Sequence, residues 1–386
     1  MPMEYAGQLV SQVMEGEVKL LLEEEGLTLS SLFDSYHLPY AELTSIEAPD
    51  YNILLRTQRD TFLISRLGNV RETFYEELYA TYNKKVRKAL FISGTPLLNT
   101  RGEFLYNEAG RSVRGTALIE VYENCVLVLP PDDNGRRIPL CFVSRMNKGS
   151  YELTLELDTG ESYSFYRLGY DTDPFADCIS KCLYALREKA IKAVKEIDGT
   201  LTPLELQVIG RLMPEGVAVQ LGRLEELSPT FIKSLEAKIN ESRIIEEYKV
   251  FKELCDPMKI HVGMKSHLAG EDAENILWLI CPGAKHGVAA VELAISEEAA
   301  AATFLYQGFD DWEVFCKRLN QAMEAINFKR EVIRLTEEEL HKREYDDYVM
   351  AVKRNVSLQF IRKHFGGRVI HTSPEKWKQE LLKHMQ

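Results

Sequence analysis

The sequence predicts an α+β protein of two or three curled antiparallel sheets, each capped by a C-terminal helix, with helical insertions. Three observations carry that expectation. Short runs with period-two alternation recur between Asp, Gly, Pro or Asn residues, as half-buried antiparallel strands require. After each group of strands the apolar period switches to that of a helix. The switch is also written twice in nearly the same residues, 61-TFLISRLGNVRETF-74 and 162-SYSFYRLGYDTDPF-175.

In the first copy, Val18, Leu20 and Leu22 alternate, and Gly26 follows the acidic turn Glu23-Glu24-Glu25. Strands follow at 26–30, 38–46, 51–57 and 61–67. Val70, Phe74, Leu78 and Tyr82 then fall four apart as a helix stripe, with Asn69 placed to cap it and Glu72 in capping-box position. The second copy repeats the order, with strands at 116–122, 124–130, 137–146, 151–157 and 162–168. Its helix opens on Asp173-Pro174, with proline at the first helical position. Pro39 and Tyr51 answer to Pro139 and Tyr151 at an offset of 100, and Arg66-Leu67-Gly68 and Phe74 answer to Arg167-Leu168-Gly169 and Phe175 at 101. The segment 93–115 is read as a linker packed between the copies.

Residues 199–256 read as a helical insert, with Ser228-Pro229 as a strong helix start. Strands return from 258. The stretch 303-TFLYQGFDDWEVFCKRL-319 echoes the strand–glycine–helix joint, so 257–328 is read as a third, diverged copy. The tail, 329–386, is read as helical and basic. Thr336 with Glu339 forms a capping box, and Ser373-Pro374 opens the last helix.

The lead-ins His37-Leu38-Pro39-Tyr40 and Arg137-Ile138-Pro139-Leu140, the hairpins Asp50–Asp60 and 156-ELDTGESYSF-165, and a last aromatic strand running into one helix resemble a bacterial pleckstrin-homology-like (PH-like) domain. The resemblance covers roughly residues 15–90 and 112–190. It implies PH-like domains at 1–92 and 116–198, and a protein-binding or scaffold role that uses sheet edges and the crease between modules. Phosphoinositide binding, which the family also implies, is not expected. Lipid-binding members carry Lys and Arg on the first hairpin, whereas this chain has 22-LEEEG-26 and 122-YENC-125, and carboxylates repel phosphates.

Bulk properties narrow the function further. The chain's 386 residues fit several domains, and its 45% hydrophobic and 27% charged content is that of a soluble globular protein. No apolar run reaches the ~18 residues that span a bilayer. The first residues carry no basic leader region, and the seven cysteines have no disulfide-like spacing, so a cytoplasmic protein is expected. A net charge of −12 argues against generic attraction to nucleic acid or anionic lipid.

No cofactor is expected. The fragment 282-PGAKHG-287 lacks the spacing of a phosphate loop. His261, His267, Cys281 and His286 lack the paired short spacings of a zinc centre, and no nucleophile elbow is present. The chain is therefore read as non-enzymatic. Arg66 and Arg167 are candidate ligand contacts at the strand–helix joint, or else ties to a helix end or a strand carboxylate. Residues 348–386 hold eight Lys and Arg against two Glu. Within them Lys353, Arg354, Arg362, Lys363 and Arg368 are read as a docking surface for an acidic protein partner or nucleic acid, or as a tail lying on the chain's own acidic body. A membrane-surface adaptor is the remaining alternative.

Overall fold

The computed structural model describes residues 4–108, 110–266, 275–293 and 302–386. The first copy consists of β1 (Glu4–Val10), β2 (Glu15–Leu22), β3 (Gly26–Ser30), β4 (Ser35–Pro39), β5 (Leu43–Glu47), β6 (Ile53–Thr57), β7 (Thr61–Ser65) and α1 (Arg71–Ala89). The second consists of β8 (Leu98–Glu108), β9 (Arg111–Val121), β10 (Cys125–Leu129), β11 (Arg136–Pro139), β12 (Val143–Lys148), β13 (Glu152–Leu157), β14 (Ser162–Tyr166) and α2 (Thr172–Ile197). The strand orders are β4-β3-β2-β1-β7-β6-β5 and β11-β10-β9-β8-β14-β13-β12. In both, the first strand lies beside the seventh, so the meander curls back on itself. The α+β class and the tandem sheets followed by helices are as the sequence predicts.

The duplication extends to local irregularities. A bulge between Leu43 and Ser45, opposite β6, recurs between Val143 and Arg145, opposite β13. Thr44 Oγ1 donates to Arg56 O at 3.1 Å, and Ser144 Oγ donates to Glu156 O at 3.0 Å.

The expected linker is where the structure departs from the sequence reading. Leu98–Glu108 and Arg111–Val121 pair antiparallel along their whole 11-residue lengths. Thr100, Phe104 and Tyr106 turn inward while Arg101 and Asn107 face solvent. The charged outer row masks an alternation that the inner row keeps.

The repeated Arg-Leu-Gly is a backbone device. Arg66 and Gly68 have φ of 57° and 58°, and Arg167 and Gly169 have 52° and 61°. The leucine between them stays right-handed in both copies. A non-glycine residue in the left-handed region costs about 1–2 kcal/mol. What the turn secures is a plug, since Leu67 and Leu168 are buried at the mouths of the two sheets. Each lies over a glycine in the inward row of the first strand. A Cβ on Gly7 would stand 3.4 Å from Leu67 Cδ2, and one on Gly102 would stand 2.5 Å from Leu168 Cδ2 and 2.8 Å from Tyr166 O.

The rest of the chain supplies α3 (Pro203–Leu212), β15 (Val219–Gln220), α4 (Leu221–Leu227), α5 (Pro229–Glu241), α6 (Ile245–Leu254), β16 (His261–Ser266), β17 (Asn275–Pro282), β18 (Val288–Leu293) and β19 (Ala302–Gln307). Then come α7 (Trp312–Ala325), α8 (Glu331–Arg334), α9 (Glu337–Leu340), α10 (Asp346–Lys353), α11 (Val356–His364), β20 (Phe365–Ile370) and α12 (Pro374–Met385). The third sheet runs β15 to β20 in sequence order. Its β16–β19 meander ends on α7, capped by Asp311 Oδ1 accepting from Val314 N at 2.9 Å. The tail is therefore not wholly helical. β20 lies beside β19, in the place that β1 takes beside β7.

Contacts divide the chain into two units. One comprises Met1–Ile138, Val143–Cys178 and Leu335–Val356, and the other Pro139–Phe142, Ile179–Arg334 and Ser357–Gln386. In the second unit a polar clamp fastens the end of β20. His371 Nδ1 lies 3.2 Å from Glu247 Oε1 on α6, and His371 Nε2 lies 3.0 Å from Glu292 Oε2 on β18. Thr303 Oγ1 donates to Glu292 Oε2 at 2.5 Å and accepts from Trp377 Nε1 at 2.8 Å. Burial alone would lower the His371 pKa, but the two carboxylates outweigh it and raise it to about 9.

Two measurements check these assignments. Gly102→Ala should lower unfolding stability by about 1–3 kcal/mol through overpacking, and Gly7→Ala by less, as read from urea midpoints. A histidine with a raised folded pKa contributes fully below its unfolded value of about 6.5 and loses that contribution as pH rises through the folded value. Stability of the second unit should therefore fall between pH 6.5 and about 9, and His371→Gln should flatten that slope.

Candidate functional site

The outermost strand of a sheet presents main-chain groups that need partners. In β5, Leu43 and Ile46 point into the core while Thr44 and Ser45 lie on the outer side. Ile46 N donates to Pro131 O at 2.7 Å, and Asp133 N donates to Thr44 O at 3.1 Å. Ser45 and Asp132 form an antiparallel bridge between them. The loop joining β10 to β11 thus meets the edge of the first sheet through a single bridge at Asp132, with a bend at Pro131 and a turn at Asp133 and Asn134 on either side.

Helix α1 covers the same loop. Tyr82 OH donates to Asp132 O at 2.9 Å, and Tyr79 OH donates to Leu129 O. One turn on, Arg87 grips Glu120 with Nε and Nη2, at 2.8 and 2.6 Å, in the bidentate geometry that makes such pairs strong. Arg354, at the end of α10, is 2% exposed. Its Nη2 donates to Tyr82 OH at 2.6 Å and its Nη1 to Met350 O at 3.3 Å. Gly135 lies beside it, where a Cβ would stand 3.4 Å from Arg354 Nε, at ordinary contact distance. Burial raises the Asp132 carboxyl pKa, and Arg354 is among the groups that oppose the rise.

A cleft of about 410 Å³ opens in the same unit, lined by Glu42, Arg59, His341, Asp346, Val349 and Lys353 among others. Lys353 Nζ donates to Ala41 O at 2.9 Å. Burial lowers the Lys353 pKa, and Arg354 adds to that effect, while burial raises Asp346. With charges of both signs on its walls, the cleft selects no single class of ion.

The residues singled out from sequence fall in separate places. Arg66 is exposed. Arg167 Nη1 lies 2.6 Å from Glu103 Oε1 on β8, which ties a strand carboxylate. Lys353 and Arg354 belong to the first unit, and Arg362, Lys363 and Arg368 to the second. Arg354 is buried and so is not available to a docking partner. Arg362 Nη1 donates to the carbonyls of Val332 and Ile333, while Lys363 and Arg368 are exposed.

Sequence reasoning missed the edge of β5 and its occupant. The signal available was 130-PPDD-133, a loop longer than its counterpart in the first copy, opposite two tyrosines on one helix face. Among the described residues, no group of three or more His, Cys, Asp or Glu could hold a metal ion. His261 is buried against Trp312, Cys281 Sγ lies 3.6 Å from Cys255 Sγ, and His267 falls outside the described residues. Among the described residues no helix is long and apolar enough to cross a membrane.

No protein-family model matches the chain, and no curated protein matches it. Among solved structures, the "Structure of the Spt16D Pob3N heterodimer" is similar at 11% identity, over 45% of this chain and 87% of that one, with a TM-score of 0.19. A TM-score of that size carries neither fold nor function from one chain to the other.

The assignment of Arg354 has a direct test. Arg354→Met should cost about 1.5–3 kcal/mol, as loss of a buried charged donor's hydrogen bonds does. Lys363→Ala and Arg368→Ala should stay within about 0.5 kcal/mol of the parent. Chemical denaturation of the three variants measures both.

Proposed function

We propose that the chain is a non-enzymatic protein-binding scaffold whose first two sheets are PH-like modules. The strand order of both sheets, with the first strand beside the seventh and one helix after the last strand, supports the family reading. The observation that carries the function is the edge of β5, which takes up a loop of the chain through two main-chain hydrogen bonds and one antiparallel bridge beneath a helix. Strand addition of this kind supplies affinity from the backbone and leaves selectivity to side chains.

Two features weigh against the alternatives. In the first hairpin, Glu24 lies 3.7 Å from Lys84 Nζ, and Glu25 pairs with Lys85, so the neighbouring lysines are already engaged by carboxylates where a phosphorylated headgroup would need them. Of the tail cations, Arg354 is buried and Arg362 donates to carbonyl groups, which weighs against their serving nucleic acid.

The 386-residue chain, immobilised in cell extract at physiological salt, should retain protein partners that survive nuclease digestion. It should not co-sediment with anionic liposomes. Retention that vanishes with nuclease, or sedimentation with liposomes in the absence of other protein, would overturn the reading.

A further inference from the structure

We propose that the outer edge of β12 takes an extended acidic segment of a partner protein, as β5 takes Pro131, Asp132 and Asp133. This rests on the protein-binding reading above and adds the site and the chemistry of the partner. β12 is the counterpart of β5, the end strand of its sheet in the same order and with the same bulge. The atoms engaged in the first copy are Ile46 N and Thr44 O. Their counterparts, 100 residues on, are Met146 N and Ser144 O, which the shared register turns outward in the same way.

The second edge is open. Ser144, Arg145, Asn147 and Lys148 are exposed and Met146 is half-buried. Among the described residues no strand or bridge pairs with the outer side of β12. A bare edge invites pairing with any other chain unless something restricts it.

The side chains supply the restriction. Ser45, Glu47 and Ala48 of the first edge become Arg145, Asn147 and Lys148 in the second, exchanging one carboxylate for two cations. Asp132 sits directly across from Ser45, so the residue directly across from Arg145 is best an Asp or Glu. Arg145 Nε is 3.9 Å from Glu156 Oε2, with its side chain 69% exposed, which leaves the guanidinium free to turn to an incoming carboxylate. Lys148 is paired with Asp173 at 2.6 Å and is 42% exposed, so it adds field rather than a free contact. Two β12 edges meeting each other would bring these cations together, and like charges across strands oppose pairing. A proline preceding the acid is compatible, because Pro131 contributes only its carbonyl.

The test uses the occupant of the first edge as the probe. A fluorescent peptide of residues 127–135, LVLPPDDNG, is titrated with the 386-residue chain and followed by anisotropy. Saturable one-to-one binding is expected, lost in Met146→Pro, which removes the outward N–H, and at least tenfold weaker in Arg145→Glu. The exposed Arg145 site keeps the test valid if Met146→Pro fails to fold. Absence of saturable binding, or binding unchanged in both variants, overturns the proposal. So does a concentration-dependent dimer, seen by sedimentation and lost in Met146→Pro, because the edge would then serve a second copy of the chain. If the peptide fails while nuclease-resistant partners are still retained by both variants, the site is wrong and the scaffold reading stands. If the parent chain retains no such partners, the scaffold reading falls as well.

Discussion

An end strand leaves half of its main-chain groups without a partner in its own sheet, and the first unit is organised around how β5 meets that requirement. Two backbone hydrogen bonds to the β10–β11 loop satisfy the edge, but they draw Asp132 out of solvent. The carbonyl of that residue is then met by Tyr82, and its carboxylate accepts from Asn134 N at 2.7 Å, with the charge of Arg354 a smaller favourable influence. Tyr82 hydroxyl in turn accepts from Arg354. Each group answers a polar group that the previous contact buried, so the members of such a network support one another more than separate pairs would. Tyr79 and Tyr82 can occupy an otherwise apolar stripe because their hydroxyls reach the one strip of backbone that crosses it.

This arrangement fixes the order in which the chain can be completed. Arg354 lies 272 residues from Tyr82, and the first unit includes residues from beyond most of the second. The third sheet has a parallel history, with β20 returning from the tail to lie on β19 and His371 fastening the end of it to Glu247 and Glu292. Closing such long loops adds little thermodynamic cost, because loop entropy grows only with the logarithm of length. The burden falls on folding rate, which drops as contacts become less local. In the native structure each unit includes residues from the tail.

The sequence shows the modules well and the joint between them poorly, for a common reason. Alternation and the helix stripe are local patterns, so β2, β3, β6, β7, β10, β13, β14 and the helices after them could be read in order, whereas β1 was not read and 38–46 and 137–146 were each read as one strand where the chain forms two. The hairpin of β8 and β9 escaped because its inward row includes Thr100 and Gly102 beside Phe104 and Tyr106. A glycine that makes room for Leu168 looks from sequence like a linker residue. Arg354 escaped for the opposite reason. Composition registers a positive charge on a basic segment, but its burial depends on contacts such as that with Tyr82, far away in sequence. The strand–helix joint was visible as a motif. Its meaning, two left-handed residues around a buried leucine, needed the backbone.

A joint made from a hairpin tip of one module and a strand edge of another is heterologous, and two modules form only one such joint. Of the two edges of this kind and the two tips of this kind, one each is left over as a matter of counting. The edge is β12; the tip is the turn between β3 and β4, closed by Ser31 N donating to Asp34 O at 2.8 Å. Leu32 and Phe33 stand on that tip 93% and 92% exposed, where the engaged tip carries proline and aspartate. Terminal faces of repeat arrays are ordinarily made polar for solubility. The edge of β12, with its Arg145 and Lys148, resists pairing with itself, whereas two bare apolar side chains do nothing to solubilise the tip. Core equivalences such as Gly7 with Gly102 and Leu67 with Leu168 are kept between the modules, so the differences collect at the free ends. Those ends are where contact with another molecule would require the two modules to differ.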